Sequence, residues 1–283
     1  MTIAIAAATS QLGRLAIAAL KRRDPQADLI GLVRNPEKAA DLGVTLRRAD
    51  YHDRASLDAA LQGVQTLVLI SSGSFEDRVG QHVNAIAAAK TAKVGRVIYT
   101  SVLKGDASPM QLAADHIATE AALKSSGLTY TLLRNGWYSE NYTGSLAGAI
   151  AAGAMIGATP TGRISPAARA DYAEAIAAVA LGSGHDNAVY ELAGDQALTL
   201  PDLAAEVSRQ TGKTIPYSAM PAAAYADVLR SFGLPEPLPG ILADCDACAE
   251  RGALLDESRA LSRLIGRPTT PMADSVAAAL AAA

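Results

Sequence analysis

Aromatic residues are scarce in this chain of 283 residues: nine tyrosines, two phenylalanines and one tryptophan make up 4% of it. No basic run of the kind that follows a phosphate backbone occurs, and 25 Lys and Arg are interspersed with 28 Asp and Glu. A protein that follows a phosphate backbone needs clustered cations, so we expect no nucleic-acid partner. Hydrophobic residues account for 50% of the chain, enough to bury a core, which excludes global disorder.

Long, strongly apolar runs are missing as well. The uncharged segment 141–162 consists mostly of Ala and Gly with few large aliphatic residues, whereas a membrane-spanning helix needs about 20 strongly apolar residues. We therefore expect a short packed helix and a turn in this segment, and no membrane span. No basic stretch precedes the apolar residues at the N-terminus, which predicts a buried first strand and not a signal peptide. We expect a cytoplasmic protein.

Cysteine occurs only twice, at Cys245 and Cys248. The C-x-x-C spacing suits a redox dithiol or half of a zinc site. A zinc site would need two further ligands, and the four histidines are scattered without partner spacing. No strand leads directly into the pair, as it would in a thioredoxin. We predict no metal site, and two buried, inert thiols on a helix are the alternative to a redox role.

Short aliphatic runs alternate with segments of helical period that are rich in the chain's 61 alanines. The expected strands are Ile3–Ala8, Asp28–Val33, Gln65–Ile70, Arg96–Thr100, Thr129–Arg134 and a sixth that ends near Leu192. The expected helices between the first five are Gln11–Arg23, Ser56–Leu61, Arg78–Ala92 and Ala113–Ser126. This alternation predicts an α/β fold with a doubly wound parallel sheet of Rossmann type. We predict a dinucleotide-binding domain of residues 1–134 plus about 163–194. A smaller, mostly helical, substrate-binding lobe would comprise about 135–162 plus 195–283.

The first strand–helix turn is where such a sheet binds a nucleotide. A loop of the short-chain dehydrogenase type reads G-x-x-G-x-x-G, but this chain has Ala7, Ser10 and Gly13 at the three places. The third glycine allows close packing of helix on strand. A Cβ at either of the first two places could obstruct the tight turn or the approach of a pyrophosphate. An ordinary strand–helix turn is the alternative.

The end of the second strand favours a phosphorylated ribose. An NAD enzyme usually has Asp or Glu there to hold the 2′-hydroxyl, whereas this chain has Arg34, with Lys38 four residues on. Two cations suit a 2′-phosphate, because charge-assisted contacts to phosphate are strong. A solvated loop is the alternative. The third predicted strand is followed by Ser71, Ser72 and Gly73, small residues that suit the close approach of a cofactor.

Several strings of the chain together resemble one family, and the resemblance covers nearly all of it. They are T-x-Q-L-G at 9–13, V-R-N-P at 33–36, A-D-Y at 49–51, L-I-S-S at 69–72, L-L-R-N-G-W-Y-S-E-N-Y at 132–142, R-A-D-Y-A at 169–173 and L-I-G-R-P-T-T at 264–270. The chain is similar to the NmrA-like atypical short-chain dehydrogenases, and within them to the bacterial NADPH-dependent enzymes that reduce quinones and triphenylmethane dyes.

The resemblance implies an oxidoreductase that uses NADPH, with NADH the less favoured cofactor. It also implies the cofactor-binding residues: Thr9, Ser10, Gln11, Leu12 and Gly13 at the pyrophosphate, Arg34 with Lys38 at the 2′-phosphate, Ser71, Ser72 and Gly73 between adenosine and nicotinamide, Asn135, Gly136, Trp137, Tyr138, Ser139 and Glu140 along the nicotinamide, and Arg169. The family has Thr and Gly where this chain has Ala6 and Ala7, and Gly in place of Ser10.

The chemistry implied is hydride transfer to a quinone or a similar conjugated acceptor. No tyrosine is followed four residues later by lysine, so the usual acid of alcohol–ketone interconversion is missing. A quinone accepts hydride readily, and water or a weak donor can protonate the resulting anion. The candidate catalytic residue is Asn135, which could orient the carboxamide or bind a quinone oxygen. The candidate substrate pocket is formed by His116, Trp137, Tyr138 and Tyr142.

Purely structural interpretations stay open for these pocket residues: core packing for the aromatic side chains, and a surface position for the histidine. Two other functions also stay open. The protein could be an NADP(H)-binding sensor of the NmrA type without turnover, or a degenerate scaffold that binds no dinucleotide. For the enzyme we expect a small-molecule, quinone-like substrate and a monomer or homodimer.

Overall fold

The computed structural model describes residues 1–282. Its strands, in chain order, are β1 (Thr2–Ile5), β2 (Asp28–Val33), β3 (Thr45–Arg48), β4 (Thr66–Leu69), β5 (Arg96–Val102), β6 (Thr129–Asn135), β7 (Met155–Gly157), β8 (Ala188–Leu192) and β9 (Tyr217–Ala219). Its α-helices are α1 (Gln11–Arg23), α2 (Arg54–Ala60), α3 (Arg78–Thr91), α4 (Ala113–Ser125), α5 (Glu140–Thr143), α6 (Leu146–Ala152), α7 (Arg169–Leu181), α8 (Leu200–Thr211), α9 (Ala222–Ser231), α10 (Leu238–Ala249), α11 (Ala260–Ile265) and α12 (Met272–Ala281).

The main sheet has seven strands in the order β3-β2-β1-β4-β5-β6-β8. The chain moves outward from β1 to β3, returns to place β4 on the other side of β1, and moves outward again. The strand pairs from β3 to β6 are all parallel. The predicted doubly wound Rossmann sheet is therefore confirmed, with its topological switch point between β1 and β4.

Burial on both faces explains the near-continuous apolar sequence of the inner strands. Ile3, Ile5 and Leu67 are essentially inaccessible to solvent. Helix α1 packs against α7, and α2 packs against α3. Alanines of these helices, among them Ala16, Ala89 and Ala177, are fully buried, and their small side chains let a helix approach its neighbours closely.

The chain divides into two compact units. The first comprises residues 1–105, 115–135 and 169–190, and it contains β1–β6, α1–α3, α7 and most of α4. The second comprises 106–114, 136–168 and the residues from 191 onward, and it is mostly helical, with β7 and β9 as a two-stranded parallel sheet. The predicted helical C-terminal portion is thus present.

Two sequence-based predictions need correction. The edge strand β3 was not expected, because its sequence T-L-R-R has no apolar run. The first strand ends at Ile5 and not at Ala8, because the chain turns at Ala7. The uncharged segment 141–162 forms parts of α5, α6 and β7, and no helix within residues 1–282 is long and apolar enough to cross a membrane.

Candidate active site

The expected cofactor residues of the first unit follow the carboxyl ends of parallel strands. Residues 9–13 come after β1, Arg34 directly follows β2, residues 71–73 come after β4, and Asn135 is the last residue of β6. Carboxyl ends of parallel strands meet at one edge of the sheet, and ligands of open α/β sheets bind there. The structure therefore brings these segments of the first unit to a single edge.

The first turn keeps a glycine-like backbone without the glycine. Ala7 has φ = 50°, in the left-handed region that glycine normally occupies. Its carbonyl accepts a hydrogen bond from the Ser10 N–H at 2.9 Å, which closes the turn. The flanking Ala6 and Ala8 N–H groups donate to β4 and β2, to the carbonyls of Val68 and Leu32. The expected obstruction by a Cβ at position 7 does not prevent the turn from forming.

Ser10 has a different role from the glycine of the family. Its backbone is extended, with φ = −66°, so no glycine is required there. Its side chain caps α1 by accepting a hydrogen bond from the Gly13 N–H at 3.0 Å. Gly13 itself has no room for a side chain, since a Cβ would lie 2.5 Å from the Ala7 carbonyl oxygen. These residues form the N-terminus of α1, and helix N-termini are of the kind that binds phosphate.

Two cations stand where an NAD enzyme would carry a carboxylate. Arg34 and Lys38 are exposed, and neither forms an ion pair within the described part of the chain. Asn35 between them caps a 3₁₀ helix (Pro36–Leu42) by accepting a hydrogen bond from the Glu37 N–H at 3.1 Å. Position and charge at the end of β2 both suit a 2′-phosphate.

Arg169 lies beside the first turn. Its guanidinium donates a hydrogen bond to the side-chain oxygen of Gln11, the first residue of α1. Arg169 is the first residue of α7, the helix that packs against α1. Two residues that are 158 positions apart in the sequence, both expected at the cofactor, are therefore neighbours in the first unit.

The end of β6 is held by a buried ion pair that sequence reasoning missed. Arg134 donates two hydrogen bonds to Glu120, at 2.9 and 2.7 Å, and the Ser101 hydroxyl donates a third at 2.7 Å. Burial opposes ionisation of Glu120, but these hydrogen bonds outweigh it and lower the pKa of that carboxyl. Gly105 has φ = 46° and no space for a Cβ, because the Arg134 guanidinium fills it. The pair fixes the residue that precedes Asn135.

His116 is not on the surface, so that interpretation is wrong. It is only 7% exposed, and its Nδ1 lies 2.8 Å from the hydroxyl of the fully buried Tyr99. Burial, and then the charge of Arg78, lower the pKa of His116 to about 3. The imidazole is therefore neutral at physiological pH, and it can act there only as a neutral hydrogen-bonding group.

The string that carries the family resemblance continues into the second unit. The backbone carbonyl of Trp137 accepts a hydrogen bond from the Ala167 N–H at 3.2 Å, and the Ser139 N–H donates to the Ala167 carbonyl at 2.9 Å. These bonds hold the segment against residues that precede α7. Trp137 and Tyr138 are half-buried, so neither residue is fully enclosed in the core.

The Tyr142 hydroxyl is buried and has no hydrogen-bond partner among residues 1–282. An unsatisfied buried hydroxyl costs about 1–3 kcal/mol, so such a group is a candidate for binding a ligand or a water molecule. Burial, and then the negative charge of Asp246, raise the pKa of Tyr142 well above its ordinary value. The phenol is therefore protonated at any physiological pH and offers a donor.

Cys245 and Cys248 are free, buried thiols on α10. Burial raises the pKa of both, which makes them poor nucleophiles. The Cys248 thiol donates to the Pro109 carbonyl at 3.4 Å. The described residues contain no group of three or more His, Cys, Asp or Glu that could hold a metal ion. The geometry agrees with the interpretation of two inert thiols.

Comparison with known proteins points to one class. The profile of a family described as NAD(P)H-binding matches residues 7–181. Quinone oxidoreductase 2 of Escherichia coli (strain K12) is 51% identical over 277 residues, 97% of each chain. The crystal structure of NADPH-dependent quinone oxidoreductase from Escherichia coli complexed with NADPH matches with a TM-score of 0.95 at 50% identity, covering 98% of this chain and 99% of that one. Citrobacter sp. triphenylmethane reductase complexed with NADP(H) gives 0.92 at 33% identity, with coverage of 98% and 99%.

Proposed function

The chain belongs to the NAD(P)H-binding family, and from that premise we propose that it transfers a hydride from NADPH to a quinone. The relative that is 51% identical over nearly the whole chain is a quinone oxidoreductase, and its structural counterpart was crystallised with NADPH. The observation that carries the choice of cofactor is the end of β2, where exposed Arg34 and Lys38 replace the carboxylate of an NAD site.

The cofactor-binding residues of the first unit fit a dinucleotide. The first turn of α1 would hold the pyrophosphate with the N–H groups of Gln11 and Leu12, since Ser10 accepts those of Gly13 and Arg14 through its side chain and its carbonyl. Close approach is possible because Ala7 keeps the left-handed turn. Arg169, held by the Gln11 side chain, would add a positive charge beside that turn. Arg34 and Lys38 would bind the 2′-phosphate.

NADPH supplies a hydride when it is bound, and the protein provides orientation and exclusion of water. Asn135, buried at the end of β6 and fixed by its backbone bond from Leu103 at 2.9 Å, would orient the reacting groups. In the second unit, Trp137 and Tyr138 would lie along a flat ring, and the Tyr142 hydroxyl would donate a hydrogen bond to an acceptor oxygen. The quinone gains one hydride and one proton, and water can deliver the proton.

The test is a comparison of NADPH and NADH oxidation with 1,4-benzoquinone, corrected for the reaction without enzyme. We expect turnover with NADPH and a much higher KM for NADH. Tyr142→Phe should raise the KM for the quinone, because the donor is lost, while leaving the Kd for NADPH unchanged. Binding of NADPH by calorimetry without turnover across several quinones would refute the enzyme and support the sensor. Absence of binding would support the degenerate scaffold.

A further inference from the structure

Ser72 lies three positions after the end of β4, and its N–H, carbonyl and hydroxyl all form hydrogen bonds. The Arg78 side chain donates to its carbonyl at 3.0 Å, and its N–H donates to Nε2 of His82 at 2.9 Å. Its hydroxyl donates to the Gln81 side-chain oxygen at 2.5 Å and accepts from the Ser74 N–H at 3.1 Å. Arg78, Gln81 and His82 all belong to the first turns of α3. We call these three side chains the α3 clamp.

The α3 clamp is buried, which makes it costly unless every polar group is paired. Arg78 is 6% exposed, Gln81 is 3% exposed and His82 is inaccessible to solvent. Arg78 also contacts Asp115 at 3.4 Å, and its guanidinium lies 4.9 Å from the centre of the Phe75 ring. A turn that only joined β4 to α3 would not require three buried polar side chains.

His82 is locked in one tautomer. Its Nε2 accepts the Ser72 N–H, so Nδ1 must carry the proton, and it donates to the Thr119 hydroxyl at 2.9 Å. The Thr119 hydroxyl in turn donates to the Asp115 carbonyl at 2.8 Å. Burial, and then the charge of Arg78, lower the pKa of His82 to about 3. The clamp is therefore intact throughout the physiological pH range.

The neighbouring residues are fixed in the same way. The Ser71 N–H donates to the Thr100 hydroxyl at 2.9 Å, and the Tyr51 hydroxyl donates to the Ile70 carbonyl at 2.8 Å. Strand β4 ends at Leu69, so residues 70–72 are ordered by side chains and not by a continuing strand.

Gly73 gives the turn an open side. A Cβ built on Gly73 would meet no atom within 4 Å, and its φ is not in the left-handed region. Neither the packing nor the backbone of this protein therefore requires glycine there. Glycine at such a place allows a ligand to approach the backbone closely. Residues 71 and 72 are fixed by hydrogen bonds, whereas the space next to Gly73 is open. This combination suits the binding of a ligand against the turn.

We propose that Arg78, Gln81 and His82 are positioning residues that hold the 71–73 turn, already expected at the cofactor, in the shape that lets NADPH lie against Gly73. This inference rests on the proposed function, since it assigns a rigid part of the cofactor site. A preformed turn removes the ordering cost that binding would otherwise include. The clamp residues themselves need not touch the cofactor.

The test uses His82→Leu, with His185→Leu as the matched control. His185 is a hydrogen-bonded histidine of the first unit that forms no hydrogen bond with the α3 clamp within the described residues, and its Nδ1 lies 2.7 Å from the Tyr190 hydroxyl. We expect His82→Leu to raise the Kd for NADPH by about tenfold, the order of effect of one lost buried hydrogen bond. His82→Gln, whose side-chain oxygen can again accept the Ser72 N–H, should recover most of the affinity. His185→Leu should bind NADPH as the wild type does.

Hydrogen exchange of the Ser71 and Ser72 amides without cofactor tests the clamp independently. We expect at least tenfold faster exchange in His82→Leu and no change in His185→Leu. Gly73→Ala should melt like the wild type, because its Cβ meets nothing, yet bind NADPH more weakly by a similar factor. If the wild type binds NADPH and these variants bind it equally well, the positioning role is refuted and the proposed function survives. If the wild type does not bind NADPH, the proposed function fails first and this inference with it.

Discussion

Replacing Ala7 by glycine should stabilise this protein. A left-handed backbone costs a non-glycine residue about 1–2 kcal/mol, and Ala7 carries it at φ = 50°. Glycine removes that strain but loses about 0.5–1 kcal/mol through the larger entropy of the unfolded chain. The difference is a gain of about 0–1.5 kcal/mol in the free energy of unfolding, with a central value of about 0.75 kcal/mol. Urea denaturation should show this gain as a higher midpoint with an unchanged slope.

Glycine substitutions at two other residues serve as controls. Ala6 is 2% exposed and has no positive φ, so Ala6→Gly relieves no strain and should destabilise the protein by about 0.5–1 kcal/mol. Lys93 also has a left-handed backbone, with φ = 56°, but lies after α3, away from the first turn. Lys93→Gly should therefore stabilise the protein as Ala7→Gly does.

Ala7→Gly also distinguishes an effect on backbone conformation from an effect on cofactor binding. Because Ala7 already adopts the shape of a glycine turn, we expect Ala7→Gly to change the Kd for NADPH by less than about threefold. A loss of stability in Ala7→Gly equal to that in Ala6→Gly would show that the left-handed backbone at Ala7 carries no strain. Tight binding that appears only after Ala7→Gly is combined with Ser10→Gly would instead show that the native first turn is a degenerate site.

Three further outcomes are expected. Arg34→Ala with Lys38→Ala should weaken NADPH binding by about 10- to 100-fold with little effect on NADH, measured by calorimetry, because charged hydrogen bonds to the 2′-phosphate are lost. Gly13→Ala should cost about 1–3 kcal/mol in urea denaturation, since its Cβ would lie 2.5 Å from the Ala7 carbonyl oxygen. Burial raises the pKa of Asp246 to about 6 from 3.8, so ionisation of this carboxyl destabilises the folded state. The resulting loss in the free energy of unfolding is absent below pH 4 and complete above pH 6. Asp246→Asn should therefore raise stability by about 2–3 kcal/mol at pH 8 and leave it unchanged at pH 4.

Elements with strong local signals were predictable to the residue. Helix α1 begins after a serine cap and ends in three basic residues, and β2 is an apolar run between polar flanks. Their bounds, Gln11–Arg23 and Asp28–Val33, are those that the sequence predicts. Strand β3 was missed because an edge strand is paired on one side only and needs no apolar run. Strands β7 and β9 are three residues each, too short for any periodicity.

Residues of the candidate site could be proposed from the sequence where their charge and position alone suggest a role. They could not be proposed where the role depends on a hydrogen-bond partner that only the fold brings close. The sequence alone indicates that Arg34 and Lys38 are cations after an apolar strand, the structure shows both exposed there, and their role at a 2′-phosphate stays a prediction. The α3 clamp gave no signal, because Arg78, Gln81 and His82 resemble the polar face of a solvated helix until Ser72 is placed beside them. The Arg134–Glu120 pair was hidden for the same reason, since its partners belong to β6 and α4.

The first turn shows why a glycine motif should be analysed position by position. Its three places impose three different requirements: a left-handed backbone at Ala7, a helix cap at Ser10, and absence of a side chain at Gly13. Only the last is an absolute steric demand, and only there does this chain keep glycine. The first costs an alanine about 1–2 kcal/mol, which a large domain tolerates. The second is met better by serine, whose side chain accepts the Gly13 N–H. A loop that departs from the pattern at two places of three can therefore retain the geometry that a pyrophosphate needs.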